Sequence, residues 1–289
     1  MVLTTRFAPS PTGRMHLGHA WSAIQAHDFA RENGGRFLLR IEDIDGTRSR
    51  PEHVAAILAD LEWLGLGWDG DVVFQSRRLD LYEATLDRLR NMGLLYPCFC
   101  TRADIAASVS APHGPEGLVY PGTCRGLTVD PARLANDPHC WRLDVAKALT
   151  LLPLPQGERE LLWHDAFAGT VTADPCAQGD VVLARKDAPA SYHLAVTIDD
   201  AAQGVTHVVR GRDLFAATDI HRLLQALLDL PTPEYRHHAL LAGADGARLA
   251  KRHGAPTLAA MPIAGEDGRA LADALRAHRL PVGITIASD

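Results

Sequence analysis

The sequence lacks several features that would each place it in a particular class of protein. No apolar run approaches the ~18–20 residues that a membrane-spanning helix needs, and Met1–Arg6 has no apolar signal-peptide core. The five cysteines, an odd number, do not resemble a disulfide framework. No internal repeat or low-complexity tract is present. These absences predict a soluble, cytoplasmic, globular protein.

Lysine is also scarce. Of 29 basic residues only Lys147, Lys186 and Lys251 are lysines, and the other 26 are arginines. The net charge of −6 argues against a protein that coats nucleic acid indiscriminately, although a local basic face is compatible with it. In a chain this rich in arginine, each lysine is a candidate for a specific role.

The 289 residues, 47% apolar and 22% charged, are enough for one large α/β domain or two modest ones. A short strand at Thr4–Ala8, a helix from Ala20 to Asn33 and a buried strand at Arg36–Ile41 follow one another. This strand–helix–strand order is a βαβ unit, which predicts a parallel sheet covered by helices.

The composition changes after Pro97, where Pro, Gly and Cys become frequent up to about Ala190, and we interpret that stretch as an inserted subdomain. Beyond it, the pattern predicts strands at His193–Ile198 and Val205–Val209 and a helix at Thr218–Leu230. The predicted organisation is residues 1–97 and 191–256 as the two halves of one domain, 98–190 as the insertion, and 257–289 as a short helical tail with its helix at Glu266–His278.

The segment from Arg6 to His19, RFAPSPTGRMHLGH, lies between the first strand and its helix. This loop binds ligands in α/β sheets, since the helix N-terminus offers free N–H groups and partial positive charge. Two imidazoles there, His16 and His19, can stabilise a phosphorus centre as it gains charge. The alternative interpretation is two incidental histidines in a loop rich in Gly and Pro.

This segment resembles the signature of class I glutamyl-type aminoacyl-tRNA synthetases, with Leu17 in place of the usual Ile of the HIGH motif. The resemblance continues through Arg40–Arg50, Trp68–Ser76, Tyr96–Arg102 and His193–Leu214, and covers most of residues 4–256. It implies a Rossmann-like α/β catalytic domain, a parallel sheet with helices on both faces, and an inserted zinc-containing subdomain.

The resemblance also implies an ATP site in which His16, His19 and Lys251 are catalytic. The run Arg248–Arg252 (RLAKR) stands where the family carries Lys-Met-Ser-Lys-Ser, with Arg for the first Lys and Ala for the first Ser. Without the resemblance, a solvated basic turn would be the default interpretation of this run. ATP, with Mg²⁺, is expected to contact His16, Gly18, His19, Arg248, Leu249, Ala250, Lys251 and Arg252.

An amino acid with a side-chain carboxylate requires an arginine for that carboxylate and an acid for its ammonium group. The resemblance assigns Glu42 to the ammonium group, while which arginine holds the carboxylate is left open. Taken alone, Glu42 would be interpreted as part of an acidic surface loop. The implied glutamate-binding set is Arg6, Phe7, Ala8, Pro9, Ser10, Glu42, Tyr192 and Arg210.

A metal site is the next candidate. Cys98, Cys100, Tyr120 and Cys124 form a C-x-C…Y-x3-C pattern that could complete a closed tetrahedral zinc shell, or could be reduced cysteines packed as small hydrophobes. The resemblance favours structural zinc. For Cys140 and Cys176 the sequence predicts no such role, and His237-His238 is interpreted as a solvated turn.

Only 33 residues follow Pro256, too few for the helical anticodon-binding region of a full glutamyl-tRNA synthetase. The chain therefore resembles a truncated branch of the family, the glutamyl-Q tRNA(Asp) synthetases. These activate L-glutamate with ATP and transfer it to queuosine at the wobble position of tRNA(Asp). A monomer is expected, with Arg102, Arg125 and Arg142 contacting tRNA phosphates.

Three alternatives remain open from the sequence. They are a short glutamyl-tRNA synthetase that charges tRNA(Glu), a generic nucleotidylyltransferase that shares only the H-x-G-H motif, and a catalytically inactive, zinc-containing RNA-binding paralogue. The departures in Arg248–Arg252 motivate the last of these.

Overall fold

A computed structural model describes most of the chain, namely residues 2–101, 103–105, 119–152, 160–185, 188–243, 249 and 257–287. Within these ranges no helix is long and apolar enough to cross a membrane.

The N-terminal part is a parallel three-stranded unit. It consists of β1 (Thr4–Phe7), α1 (Leu17–Glu32), β2 (Arg36–Ile41), α2 (Pro51–Trp63) and β3 (Val73–Phe74). β1 and β3 both pair with β2 in parallel, which confirms the parallel arrangement expected from the βαβ pattern. Helix α1 begins three residues earlier than its apolar spacing indicated, because a residue of the signature itself caps it.

A mostly antiparallel segment follows. It contains α3 (Leu79–Asn91), β4 (Leu95–Cys98), α4 (Pro131–Asn136), β5 (Cys140–Leu143) and α5 (Val145–Thr150). β4 and β5 pair antiparallel, so that Cys98 faces Cys140 across the two strands.

The next three strands are β6 (Leu162–Asp165), β7 (Gly169–Thr172) and β8 (Val182–Arg185). β8 joins β5 to complete an antiparallel sheet in the order β4-β5-β8. β6 and β7 form a hairpin that belongs to a different sheet.

The chain then returns to parallel structure through α6 (Tyr192–Ala202), β9 (His207–Gly211), α7 (Ala217–Leu228) and β10 (Glu234–His238). β9 and β6 both pair with β10 in parallel, so the order is β7-β6-β10-β9. A strand from the expected insertion therefore extends the sheet of the second half.

The C-terminal elements are β11 (Leu241–Gly243), α8 (Gly268–Arg276) and β12 (Ile284–Ile286), with β11 and β12 paired antiparallel. The helix expected in the tail is confirmed as α8. Single 3-10 turns lie at Gln75–Arg77, Pro175–Gln178, Arg212–Leu214, Leu258–Ala260 and Pro262–Ala264.

The two parallel units meet along β1 and β9. Thr206 N–H donates to the Thr4 carbonyl (3.0 Å), and Thr4 N–H donates to the Thr206 hydroxyl (2.8 Å). The strands therefore lie side by side in the order β3-β2-β1-β9-β10-β6. Successive strands are added outward in one direction from β1 and in the opposite direction from β9. In doubly wound sheets, ligands bind at the carboxyl ends of the strands at such a point.

One expectation is wrong: His193–Ile198 is not a strand but the first half of α6. Ser191 caps this helix by accepting from Leu194 N–H, and Leu194, Ala195, Val196 and Ile198 are all buried. A short apolar run that is buried on every side shows no helical period, so it cannot be distinguished from a buried strand by pattern alone.

Two main cores stabilise the fold. One packs α1, α2 and α8 against β2 through buried Phe37, Leu39 and Ile41. The other packs α3, α5, α6 and α7 together around fully buried Tyr82 and Leu194. Phe7 of β1 and Val209 of β9 belong to the first core, so the β1–β9 junction is part of it.

Candidate active site and metal centre

A cleft of about 360 Å³ opens at the carboxyl ends of β1 and β9. Its lining includes every residue that the resemblance assigned to glutamate: Arg6, Phe7, Ala8, Pro9, Ser10, Glu42, Tyr192 and Arg210. His16, Gly18, His19 and Leu249 line the same cleft. The fold thus brings together residues that are up to 243 positions apart in sequence.

His16 and His19 are held by backbone hydrogen bonds at the start of α1. Gly18 N–H donates to His16 Nδ1 (3.1 Å), and His16 N–H donates to His19 Nδ1 (3.1 Å). Since each Nδ1 accepts, each neutral ring carries its proton on Nε2. The ring centroids are 3.8 Å apart. The pair therefore presents two Nε2–H donors at a helix N-terminus, where an anion is stabilised.

Gly18 leaves room for this arrangement. A Cβ at position 18 would lie 3.0 Å from His16 Cε1 and 3.2 Å from His16 Nδ1, closer than side-chain carbons ordinarily approach. The glycine therefore allows the His16 ring to fold back over the helix start and cap it.

Arg6 belongs to a buried ionic network. Its Nε donates to Asp200 Oδ1 (3.0 Å), and Arg40 Nη2 donates to the same oxygen (2.6 Å). Burial opposes ionisation, but the charges of Arg6 and Arg40 hold the pKa of Asp200 below its ordinary value. Arg6 Nη2 donates to no acceptor among the described residues, so it offers its hydrogens to the cleft.

Arg210 is buried and surrounded by neutral acceptors. Nε donates to His237 Nε2 (3.0 Å), Nη1 to the Tyr192 hydroxyl (3.1 Å), and Nη2 to Thr218 Oγ1 (2.7 Å) and the Leu214 carbonyl (3.0 Å). Within the described part of the chain no carboxylate forms a salt bridge with it. A buried guanidinium without a directly paired anion attracts one from the cleft.

Tyr192 connects this charge to the cleft. Because its oxygen accepts from Arg210, its own hydrogen is directed elsewhere, and the side chain lines the cleft. Burial raises the pKa of Tyr192, so the hydroxyl stays protonated and can donate to a ligand.

Glu42 is the acidic residue of the proposed glutamate-binding set and lines the same cleft. It accepts from the Ser10 hydroxyl (3.3 Å). Burial raises the pKa of Glu42 to about 7, although the positive charges of Arg40 and Arg6 oppose this. A cationic ligand group beside it would favour the ionised form.

The RLAKR segment falls mostly outside the described residues, since Arg248, Ala250, Lys251 and Arg252 are not among them. Its one described residue, Leu249, lines the cleft and donates through its N–H to the Leu241 carbonyl (3.1 Å). Further along the chain, Thr257 forms a β-bridge with His16 of the cleft.

The cysteine pattern converges in space. The sulfurs of Cys98, Cys100 and Cys124 all lie within 4.8 Å of one another. The Tyr120 oxygen is 3.3 Å from Cys98 Sγ and 3.8 Å from Cys100 Sγ, and Cys100 Sγ is 3.6 Å from Cys124 Sγ. Zn–S bonds of about 2.3 Å and Zn–O bonds of about 2.0 Å require ligand separations of roughly 3.5–3.8 Å in a tetrahedron. These four side chains therefore fit a closed metal shell.

Cys140 is not isolated, which corrects the expectation that it has no company. It lies directly opposite Cys98 in the β4–β5 pair and packs against the small core of Tyr96, Cys98, Tyr120 and Cys124. A hydrogen bond from Cys140, together with others, lowers the pKa of the Cys98 thiol to about 4. The pairing of two strands 42 residues apart leaves no local signal in the sequence. Cys176, in contrast, is exposed and is not part of this cluster.

His237 and His238 also differ from expectation, because they are buried rather than part of a solvated turn. His237 Nδ1 lies 2.8 Å from Asp165 Oδ2, and His238 Nε2 lies 3.1 Å from Ser22 Oγ in the cleft wall. Both lie on β10, whose apolar neighbours are too few to indicate a strand in the sequence.

Several residues of the site were missed by sequence reasoning. Asp200 neutralises and orients Arg6, and Arg40 holds Asp200 in place, while His221 and Thr218 contact Arg210. The adjacent pair Asp199-Asp200 at the end of an apolar run was the available signal, since buried acids in such a run need buried cations as partners.

Comparisons with known proteins agree with this geometry. Residues 2–281 match the family model of the class I tRNA synthetase (E and Q) catalytic domain. A glutamyl-Q tRNA(Asp) synthetase of Rhodobacter capsulatus is 52% identical over 89% of this chain and 93% of its own length. One of Symbiobacterium thermophilum is 47% identical over 91% of this chain and 82% of its own.

Solved structures show the same fold. The glutamate–tRNA synthetase of Elizabethkingia anophelis is 28% identical, with a TM-score of 0.70 over 88% of this chain. A glutamate tRNA ligase of Elizabethkingia meningosepticum, solved with its amino acid, gives the same values. The chain spans about half of either structure, at 53%. With its histidine pair at the head of α1 and its matched relatives, the chain belongs to the class I glutamyl- and glutaminyl-type tRNA synthetases and, within them, to the glutamyl-Q tRNA(Asp) synthetase family.

Proposed function

We propose that this cytoplasmic protein activates L-glutamate with ATP and transfers the glutamyl group to queuosine at the wobble position of tRNA(Asp). The observation that carries the proposal is the single cleft, in which an anion site built from His16 and His19 adjoins a pocket holding Arg6, Glu42 and Arg210. A dipolar amino acid with an acidic side chain complements that pocket.

In the pocket, the glutamate ammonium group binds Glu42, and the side-chain carboxylate lies between Arg6 and Tyr192. Arg6 Nη2 and the Tyr192 hydroxyl supply hydrogen-bond donors, and the positive charge of Arg210 lies directly behind Tyr192. Both arginines are then needed, because Arg6 donates hydrogen bonds to the side-chain carboxylate and Arg210 contributes positive charge.

In the first step the α-carboxylate oxygen of glutamate attacks the α-phosphorus of ATP, and the bond to pyrophosphate breaks. The Nε2–H groups of His16 and His19 donate to the phosphoryl oxygens as charge develops, and Lys251 is the expected third donor. Bound Mg²⁺ would neutralise the leaving pyrophosphate. Catalysis is then mostly positioning and electrostatics.

In the second step a hydroxyl of the queuosine cyclopentene diol attacks the glutamyl carbonyl carbon. The bond between the carbonyl carbon and the phosphate oxygen breaks, and AMP leaves with the hydroxyl proton on its phosphate. A second cavity of about 290 Å³ offers the acceptor a route, because it shares Ser10, Glu42 and Tyr192 with the main cleft. Arg48, Gln75 and Arg185 also line it.

The antiparallel sheet and its cysteines are proposed as the zinc-containing insertion, residues 98–190, within a catalytic domain formed by 1–97 and 191–256 and followed by the tail 257–289. Cys98, Cys100, Tyr120 and Cys124 would hold the ion, whose part is to fix this sheet. Arg125 pairs with the Asp180 carboxylate but stays exposed and can meet tRNA phosphates. Arg142 is buried and donates to the Asp180 carbonyl, so the tRNA contact expected of it is wrong. Arg102 lies outside the described residues.

The test supplies labelled glutamate and ATP with tRNA(Asp) that either carries or lacks queuosine, and with tRNA(Glu). Label is expected only on queuosine-containing tRNA(Asp). Label on tRNA(Glu) alone would establish the short glutamyl-tRNA synthetase instead. Absence of glutamate-dependent ATP–pyrophosphate exchange would refute the proposed activation and favour the inactive RNA-binding paralogue. Exchange that persists in Lys251→Ala would exclude the role given to that lysine.

A further inference from the structure

The partner of Arg210 on the side away from the cleft is a buried histidine that itself contacts a carboxylate. Arg210 Nε donates to His237 Nε2 (3.0 Å), and His237 Nδ1 lies 2.8 Å from Asp165 Oδ2. A guanidinium can only donate, so His237 Nε2 must accept and its proton must be on Nδ1, facing Asp165. The donor and acceptor directions along the three residues are thereby fixed.

Asp165 is itself firmly held. Its Oδ1 accepts from Phe167 N–H (2.9 Å) and Ala168 N–H (3.0 Å), and its Oδ2 also accepts from His237 N–H (3.1 Å). The side chains of Asp165 and His237 are 1% and 2% exposed. Burial opposes ionisation of Asp165, but these hydrogen bonds outweigh it and lower its pKa.

A neutral imidazole between the two charges has a consequence for the substrate. If a carboxylate contacted Arg210 directly, its charge would already be compensated and an acidic substrate would gain little. Because His237 lies between Arg210 and Asp165, the guanidinium is oriented by a hydrogen bond but is not paired directly with a carboxylate. Much of the positive field of Arg210 therefore still reaches the cleft. An amide side chain carries no charge to benefit from that field.

We infer that Asp165 and His237 form a relay that positions Arg210 and so sets the preference of the pocket for an acidic over an amidated amino acid. Both are positioning residues, since neither lines the cleft. Asp165 lies on β6, so a strand of the expected insertion serves the amino-acid pocket. The inference rests on the proposed activation of glutamate.

The test compares His237→Leu, His237→Gln and a matched control, His207→Leu, on the neighbouring strand β9. Leucine removes both hydrogen bonds, whereas the glutamine amide can accept from Arg210 and donate to Asp165. His237→Leu is expected to raise the KM for glutamate about 10–100-fold, the range for a lost hydrogen bond to a charged group, with the KM for ATP unchanged. The ratio of kcat/KM for glutamate to kcat/KM for glutamine should fall by a similar factor.

His237→Gln is expected to restore most of the glutamate affinity, and His207→Leu to leave both KM values unchanged. Equal losses for glutamate and ATP in His237→Leu, or a His237→Gln variant as poor as His237→Leu, would overturn the relay. Nitrogen NMR of the wild-type protein tests the relay without depending on how the variants fold. The relay requires the His237 proton on Nδ1, and a proton on Nε2 would contradict it. If the wild type shows no glutamate-dependent ATP–pyrophosphate exchange but does carry the His237 proton on Nδ1, the proposed function is refuted and the arrangement of Asp165, His237 and Arg210 is not.

Discussion

At the scale of single residues, Glu42 gives the pocket a dependence on pH. Burial raises its pKa to about 7, so the carboxylate that should bind the substrate ammonium is largely protonated below that pH. Because only the ionised form attracts an ammonium group, the KM for glutamate should fall as pH rises toward 7, by up to roughly tenfold per unit, and then level off. Measuring KM between pH 5.5 and 8.5, about 1.5 units on either side of that pKa, checks this. Glu42→Gln should give a higher KM that does not change with pH, and an unaltered pH profile in that variant would contradict the assignment.

The two histidines at the start of α1 should contribute to both catalysis and stability. Loss of either Nε2–H donor is expected to slow ATP–pyrophosphate exchange by about 10²–10³-fold. His16 also caps the helix by accepting from Gly18 N–H, and His19 completes the capping box by accepting from His16 N–H, so His16→Ala and His19→Ala should each lower the free energy of unfolding by about 1 kcal/mol. Urea unfolding of both variants measures this loss, with His27→Ala on the same helix as the control. Variants as stable as the control would argue against the capping role.

At the scale of elements, α6 ends in two adjacent buried carboxylates that join it to its neighbours. Asp199 accepts from Arg78 Nε (2.6 Å), the Tyr82 hydroxyl (2.7 Å) and Gln75 Nε2 (2.9 Å), and its side chain is fully buried. Removal of one partner from a buried ionic cluster strands the other charges, so Asp199→Ala should cost about 3–5 kcal/mol of unfolding free energy.

An exposed pair on α3 provides the comparison. Glu83 accepts from Arg90 Nη1 at 2.7 Å, but its side chain is 54% exposed. Glu83→Ala should therefore cost at most ~1 kcal/mol, since exposed ion pairs contribute little. Chemical denaturation of Asp199→Ala and Glu83→Ala measures the two losses of unfolding free energy. A much larger loss for Asp199→Ala would show that burial of the ion pair, rather than the short distance alone, determines its contribution. Similar costs at the two positions would contradict the distinction.

The same elements show how far sequence alone could go. Strand β2, helices α2, α3 and α7 and the parallel N-terminal unit were predictable, because each has a clear period and a Pro or Gly boundary. Helix α6 was not, because its first half is buried all round and only the cap at Ser191 marked it. The residues of the cleft were predicted from the family resemblance. The partners of Arg6 and Arg210, Asp200 and His237, could not be predicted, since contacts between distant strands and helices leave no spacing in the sequence.

At the scale of the whole molecule, the cysteine cluster forms a small core separate from the two main ones. That core contains Tyr96, Cys98, Tyr120 and Cys124. If zinc holds it, the purified protein should contain about one equivalent of zinc, and a chelator should lower the thermal stability of this region because binding energy is folding energy. Glutamate-dependent exchange should persist while transfer to tRNA is lost.

Metal analysis, calorimetry and the two activity assays on wild-type protein and Cys124→Ser measure these effects together. Cys176→Ser, at an exposed thiol outside the cluster, is the matched control and should behave as the wild type. Full metal content in Cys124→Ser would refute the ligand assignment.

The hydrogen bonds that join Thr4 to Thr206 also constrain how the chain acquires its fold. Strand β1 gains its second neighbour only from residues 202 positions later. During synthesis, one edge of β1 therefore stays unpaired until those later residues have left the ribosome. Contacts of such long sequence separation slow folding, so the amino-acid pocket, which straddles this junction, should be among the last features to form during refolding.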